Sequence, residues 1–441
     1  MVEACLAPRV TGRETGAVTT LRIPGVVMTD HVVEVPLDHA TPHDGRTIEV
    51  FAREVVAAGR EHDDLPWLLF LQGGPGGKSP RPGGWGSGWL EEATRTHRVL
   101  LLDQRGTGRS RPLTRRAIEG MSDAEVASYL RLFRADSIVR DAEVVRDRVA
   151  GGRTWETLGQ SYGGFVTMTY LSLAPEGLDA CYVTGGLPGL TATADDVYAR
   201  TYPRVARKNE AFYARYPDDA VLVRRIAEHL DTDEVLLPDG DRLTTRRFRL
   251  LGGAFGMSDG YERLHWLIEE AWHGDALSDF FLSTVLDLTA HVEGPLFPLQ
   301  EYCYAQPGSG ATAWAAERAM AHRPEFDERH DPLLFTGEMF YSWMFDEIRA
   351  LRPFQGAAAM LAAYDAWGAL YDLDTLAANE VPVLAAVYYD DMYVDAELQL
   401  DTARRVGNVR TWVTNEHEHD GLRINAAAVL GRLMDMRAGR V

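Results

Sequence analysis

The sequence predicts an α/β fold: a mostly parallel central sheet, helices on both faces, and a large, mostly helical lid inserted after the sixth strand. Three observations lead there. The short apolar runs Trp67–Leu71 and Val99–Leu102 carry no polar residue, as strands buried on both faces of a parallel sheet do. Strand patterns then alternate with helical ones, the rhythm of βαβ units, up to about residue 189 and again from Val381. Between about 190 and 345 the β-patterning nearly vanishes. The expected division is therefore a sheet domain of residues 1–189 and 346–441, with a lid of residues 190–345.

In chain order, Met1 to Pro24 is a weakly patterned lead-in. Two alternating runs, His31–Leu37 and Thr47–Val56, flank the turn-rich segment Asp38 to Gly45 and read as a β-hairpin. The strand Trp67–Leu71 runs into Gln72-Gly73-Gly74-Pro75-Gly76-Gly77, and the strand Arg98–Leu102 into Asp103-Gln104-Arg105-Gly106-Thr107-Gly108-Arg109-Ser110. Residues 122–150 are helical in pattern, with Asp123 as the expected cap. A strand at Thr154–Leu158 precedes a helix from Phe165 to Leu173, and a sixth strand covers Ala180–Thr184. In the lid, Ala199–Leu230, Tyr261–Trp272 and Trp314–His322 read as helices. The sheet resumes with Val381–Tyr389, a helix at Ala396–Val406, a last strand at Val409–Val413 and a closing helix at Ala426–Arg437. No internal repeat or low-complexity tract interrupts this order.

The segment Gly159-Gln160-Ser161-Tyr162-Gly163 reads G-x-S-x-G between a strand and a helix. That is the nucleophile elbow of the α/β-hydrolase fold, where a strained turn lifts a serine hydroxyl over the sheet at the positive end of a helix. A serine hydroxyl needs an imidazole base, oriented by a carboxylate. In this fold the acid and then the base follow the serine, each past the end of a strand. Of 13 histidines, only His417 and His419 follow the Val381–Tyr389 strand, and both sit just past the last one. Gly421 and the helix after it fit a loop turning back over the sheet, which favours His419. Asp390, Asp391 and Asp395 are all placed to be the acid. An oxyanion requires two fixed N–H donors: one is that of Tyr162, and the glycine loop Gly73–Gly76 offers the other. The glycine loop is no phosphate cradle, because Lys78 lacks the G-x-x-x-x-G-K-[ST] context. The pair His417-x-His419 lacks the further ligands a metal site needs, so neither metal nor cofactor is expected.

Composition narrows the class further. A net charge of −20, without a dense Lys/Arg run, argues against nucleic acid; it suits a solvated surface or an acidic mouth that draws in cationic substrates. No run of about 18 apolar residues is present to span a membrane, and Met1 to Thr20 carries no secretory pattern. Three scattered cysteines, Cys5, Cys181 and Cys303, point to a reducing compartment. The expectation is a cytoplasmic protein with no nucleic-acid or membrane partner.

Taken together, Gln72–Gly77, Asp103–Ser110, Gly159–Gly164, Tyr389-Asp390-Asp391-Met392 and Asn415–Arg423 resemble the prolyl aminopeptidases (proline iminopeptidases) of the α/β-hydrolase fold. Gln72 replaces the histidine usual in the loop of smaller members, which is similar to the longer-chain subgroup with a larger lid. The resemblance implies Ser161 as nucleophile, His419 as base, Asp391 as acid, and the amides of Gly74 and Tyr162 as oxyanion donors. It implies hydrolysis of peptides with a free N-terminal proline, through an acyl-enzyme. It also implies that lid glutamates hold the amine: Glu338 and Glu301 stand in suitable segments, with Tyr341 as an aromatic wall for the ring. The same residues leave open a broader aminopeptidase or tripeptidyl peptidase, or an esterase or lactonase using the same triad. Cys303 is expected to be a buried structural thiol rather than a reactive one.

Overall fold

The computed structural model describes residues 19–83 and 88–441. The lead-in before Thr19, with its absent secretory pattern and Cys5, lies outside the described residues. Nine strands form one sheet: β1 (Thr19–Ile23), β2 (Val26–Pro36), β3 (Thr47–Ala57), β4 (Trp67–Leu71), β5 (Arg98–Leu102), β6 (Trp155–Gln160) and β7 (Leu178–Thr184), then, beyond the small ribbon of β8 (Trp272–His273) and β9 (Ala276–Leu277), β10 (Val383–Tyr388) and β11 (Val409–Thr414). Their order is β1-β2-β3-β5-β4-β6-β7-β10-β11. The first three meander antiparallel, and every pairing from β5 through β11 is parallel.

Alternation along the buried strands sorts side chains to two faces. Leu69, Leu71, Leu100, Leu102, Cys181 and Val183 pack with the helices Ala135–Ala150 and Tyr162–Leu173. Leu68, Phe70, Val99, Leu101, Leu158 and Tyr182 pack with the closing helix Ala426–Arg437. The helices cover both faces, as the unbroken apolar strands require.

Several boundaries differ from the sequence reading. The strand β1 was not expected; its residues are almost all exposed, so no apolar face announces it. It makes the helical insertion follow the seventh strand rather than the sixth. Residues 122–150 form two helices, Asp123–Leu130 and Ala135–Ala150, and the cap is Ser122, not Asp123. Ser122 and Glu125 close a reciprocal capping box, which leaves Asp123 as the first helical residue. The stretch expected as one helix over Ala199–Leu230 is two, Ala194–Arg215 and Asp219–Thr232, separated at Tyr216–Asp218 around Pro217.

The segment after β5 is a structural lock. Asp103 accepts from the N–H groups of Ser79 (3.1 Å) and Arg109 (2.8 Å) and pairs with Arg81. A side chain at Gly108 would fall 2.2 Å from the Asp103 carboxylate. Arg105, fully buried, grips Asp141 at 2.6 Å and donates to the carbonyls of Pro36, Leu37 and Leu132. The motif thereby ties the end of β5 to β2 and to the helix carrying Asp141. Among the described residues no helix is long and apolar enough to cross a membrane.

Candidate active site

Ser161 stands between β6 and the helix Tyr162–Leu173 with φ 56° and ψ −124°. A non-glycine residue held there costs on the order of 1–3 kcal/mol, which the surroundings must offset. Its N–H donates to the Thr184 carbonyl (3.0 Å), and its carbonyl accepts from the Gly164 N–H (2.8 Å). The flanking glycines are steric necessities. A Cβ at Gly163 would lie 1.9 Å from the Leu71 carbonyl oxygen, and one at Gly159 would lie 2.5 Å from that of Gly163. The elbow is thus wedged between β4 and its own helix.

His419 is buried beyond β11, and its main-chain N–H donates to the Gly256 carbonyl (3.1 Å). Its Nδ1 lies 2.7 Å from Oδ2 of Asp391. The other oxygen of Asp391 accepts from the N–H groups of Tyr393 (2.8 Å) and Val394 (3.1 Å), so the carboxylate cannot swing away. Burial alone would depress the His419 imidazole. Contact with Asp391, together with the charges of Glu338 and Asp420, outweighs it and raises the pKa above the ordinary value.

The geometry separates the alternatives left open above. Asp390 points outward, with its side chain 56% exposed and 3.9 Å from Arg204. Asp395 caps the helix Ala396–Arg405 and pairs with Arg204 at 3.1 Å. The His417 ring packs edge-on against Tyr388 and Trp412. Asp391 and His419 are the pair in contact.

The glycine loop after β4 reaches the elbow: a Cβ at Gly73 would sit 3.0 Å from the Ser161 Cβ. Gln104 holds the loop by donating to the Gln72 carbonyl (2.9 Å). Gly74 has φ 126°, a conformation L side chains rarely adopt. Tyr162 is the first residue of its helix, so its N–H has no acceptor within that helix.

Ser161, His419, Gly73–Gly76 and Glu338 line one cavity of about 860 Å³. Glu338 comes from the insertion. Burial pushes its carboxyl up to about 7; the nearby His419 pulls it down, and Asp391 pushes it further up. The other two residues proposed from the resemblance do not line this cavity. Both carboxylate oxygens of Glu301 are engaged by main-chain N–H groups, those of Ala315 (3.0 Å) and Ala316 (2.9 Å), at the start of the helix Ala315–Met320. Tyr341 is buried, hydroxyl to hydroxyl with Tyr202 (3.2 Å) and stacked on Trp343. The correction has a physical reason: a carboxylate near a helix start satisfies that helix's free amides as readily as it would an amine. Cys303 is buried, and burial lifts its thiol to about 12.

Two contributors escaped the sequence reading. Tyr393 packs edge-on against the His419 ring at 4.8 Å and donates to the Gly253 carbonyl. The signal lay in the spacing, since an aspartate commonly accepts from the N–H two residues on. Met257, beside the Gly256 carbonyl that holds His419, also lines the cavity; no local pattern announces it.

A parallel sheet with an elbow serine, a buried histidine and its paired aspartate at the strand ends defines an α/β hydrolase, and the α/β hydrolase fold family profile matches residues 66–235. The chain is 44% identical to a proline iminopeptidase of Aeromonas sobria over 93% of its own length and 96% of the relative's. It is 35% identical to the proline iminopeptidase aneH of Aspergillus aculeatus over 92% and 93%. Of solved structures, the hydrolase BphD from Rhodococcus sp. strain RHA1 aligns over 93% of this chain and 100% of its own, at 14% identity and a TM-score of 0.43. This chain belongs to the proline iminopeptidase family.

Proposed function

We propose that this protein is a serine aminopeptidase releasing N-terminal proline from peptides through an acyl-enzyme intermediate, without a metal or cofactor. In this reading Ser161 Oγ attacks the carbonyl of the first residue while His419 takes its proton. Asp391 fixes the imidazole and stabilises its charged form. The amides of Gly74 and Tyr162 receive the oxyanion. His419 then protonates the leaving amine, and water, activated by the same imidazole, releases proline.

The observation that carries the reading is Glu338, an acid facing the same cavity as Ser161 and His419. Its carboxyl, pushed up to about 7 by burial, regains charge beside a bound ammonium. The amine-binding role is proposed for Glu338 alone; Glu301 supports a helix start, and Tyr341 supports the packing behind it.

Residues 190–345 are proposed to act as the lid. In support, Met257, His291, Phe297 and Glu338, all from this insertion, wall the cavity together with the glycine loop and the elbow. Glu347 and Arg352 still pair with Arg246 and Asp241 of the insertion, and from Gln355 on the chain packs on the sheet domain again, with the helix Gln355–Ala362 on Asp123–Leu130 and Leu373–Ala377 on Tyr162–Leu173. Buried, unpaired Cys181 and Cys303 are in keeping with a reducing, cytoplasmic setting.

A panel of aminoacyl arylamides, each with a free and an acetylated N-terminus, tests this function. Prolyl arylamide should be the best substrate, and acetylation should lower kcat/KM roughly 10- to 100-fold, the worth of a charge-assisted bond. Equal rates on free and blocked substrates would remove the aminopeptidase reading and favour an esterase or other acyl hydrolase using the same triad.

A further inference from the structure

Adjoining the catalytic cavity is a second chamber of about 670 Å³. Met257, Leu288, His291, Phe297 and Glu338 line both, so the two spaces share a wall. The second is predominantly apolar, built from buried Leu251, Leu264, Leu267, Phe340 and Met344. Of its lining, Trp266, Phe280 and Leu288 are 55%, 58% and 55% exposed, so the chamber reaches the surface along an edge that also carries Arg263 and Glu270. Its size is that of pockets for drug-sized ligands, well beyond one pyrrolidine ring. Burying such a surface without an apolar occupant gains nothing.

The position of the chamber indicates which part of a substrate fills it. His419 must hand its proton to the leaving group, which therefore sits on the imidazole's side of Ser161. Tyr393 lies edge-on to that imidazole at 4.8 Å, and Tyr393 also lines the chamber. The Gly256 carbonyl anchors the His419 N–H, and the next residue, Met257, forms part of the shared wall. We propose that the chamber is a leaving-group subsite for apolar alkyl or aryl chains, so that the enzyme favours substrates joining the N-terminal residue to a bulky apolar amine. This assignment rests on the aminopeptidase reading above.

A series of N-alkyl prolinamides from methyl to hexyl tests it. Each methylene that enters the chamber should raise kcat/KM roughly two- to fourfold until the chamber is full. Two variants fill the space from different elements. A Cβ at Gly253 would meet nothing within 4 Å, so Gly253→Phe starts in open space, and Thr284→Trp projects from the helix Asp279–Thr289. Both should flatten the series, and Thr284→Trp should leave N-methylprolinamide within about twofold of the unaltered protein. A flat series in the unaltered protein, or a slope surviving both variants, overturns the proposal. Failure to cleave any prolinamide would instead sink the aminopeptidase reading, and binding then decides the chamber alone. In Ser161→Ala, calorimetry should show N-hexylprolinamide binding at least tenfold tighter than N-methylprolinamide, with the difference lost on adding Gly253→Phe. Equal binding overturns the subsite.

Discussion

Asp391, fully buried, and Glu338, half-buried, are carboxylates close enough to feel His419, yet they come from different halves of the molecule and are held by different means. Asp391 ends a parallel strand and accepts two main-chain N–H bonds besides the imidazole. Glu338 sits in the helical insertion, where Gln300 donates to its main-chain carbonyl (3.4 Å), and burial lifts its carboxyl to about 7. The sheet domain fixes a carboxylate with its own backbone; the insertion leaves an acid with few partners, as the proposed amine site requires. The first arrangement suits chemistry common to many substrates, the second the recognition of one.

Variants that disable the sheet-domain machinery should give the largest effects. Ser161→Ala should lower kcat on a prolyl arylamide by roughly 10⁴- to 10⁶-fold, and Asp391→Asn by about 10⁴-fold through loss of the oriented imidazole. Asp390→Asn, one residue away but outward-facing, should stay within about twofold. Similar losses for the two aspartate variants would break the distinction between the pair.

The second prediction concerns Glu338. As pH falls through about 7 Glu338 loses its charge, and protonation of His419, whose pKa is raised by Asp391, adds to the loss, so kcat/KM for free-amine substrates should decline on the acid side. Glu338→Gln should raise KM roughly 10- to 100-fold. It should also shift the remaining acid limb to lower pH, because the charge that favours the imidazolium is gone. A pH profile and KM both unchanged would take Glu338 out of the amine site.

The difference between the halves also explains what the sequence discloses. Gly159, Ser161 and Gly163 are legible because backbone atoms approach so closely that only those residue types fit. Gly421 points to His419 for the same reason: a Cβ there would meet the Tyr388 hydroxyl at 2.8 Å and the His417 Cβ at 2.9 Å. In the insertion such close approaches fall at Gly252 and Gly260, where a Cβ would meet the Thr336 and Ala254 carbonyl oxygens at 2.3 and 1.8 Å, and neither involves Glu301 or Glu338. The sequence places both Glu301 and Glu338 in suitable segments, with some preference for Glu338. Which one faces the cavity depends on where the helix starting at Ala315 docks, and that is a tertiary fact. β1 escaped notice because an exposed edge strand has no apolar alternation to show.

A third prediction turns the unpartnered acid into a stability effect. A carboxyl whose pKa rises from 4.5 unfolded to about 7 folded binds its proton more tightly in the native state. Its contribution is intact below 4.5 and is lost as pH climbs through 7, so the ionised form destabilises the fold above that point. Glu338→Gln should therefore stabilise the protein by about 1–3 kcal/mol at pH 8, discounted for the open cavity, and by little at pH 4. Thermal unfolding at both values checks this; an equal shift at the two would mean that the gain came from packing rather than charge.

The smallest effect is expected at Glu301. Its two oxygens accept from Ala315 and Ala316, so Glu301→Gln keeps one acceptor and turns the other into a donor facing an N–H. The cost should be about 1–2 kcal/mol of stability, read as a lower Tm. Because the side chain lies outside the cavity wall, the ratio of kcat/KM on free and acetylated prolyl arylamides should hold within about twofold. A collapse of that ratio with Tm unchanged would make Glu301 a second amine ligand and erase the contrast with Glu338. A lower Tm with the ratio preserved would leave one acid of the insertion for recognition and one for the fold.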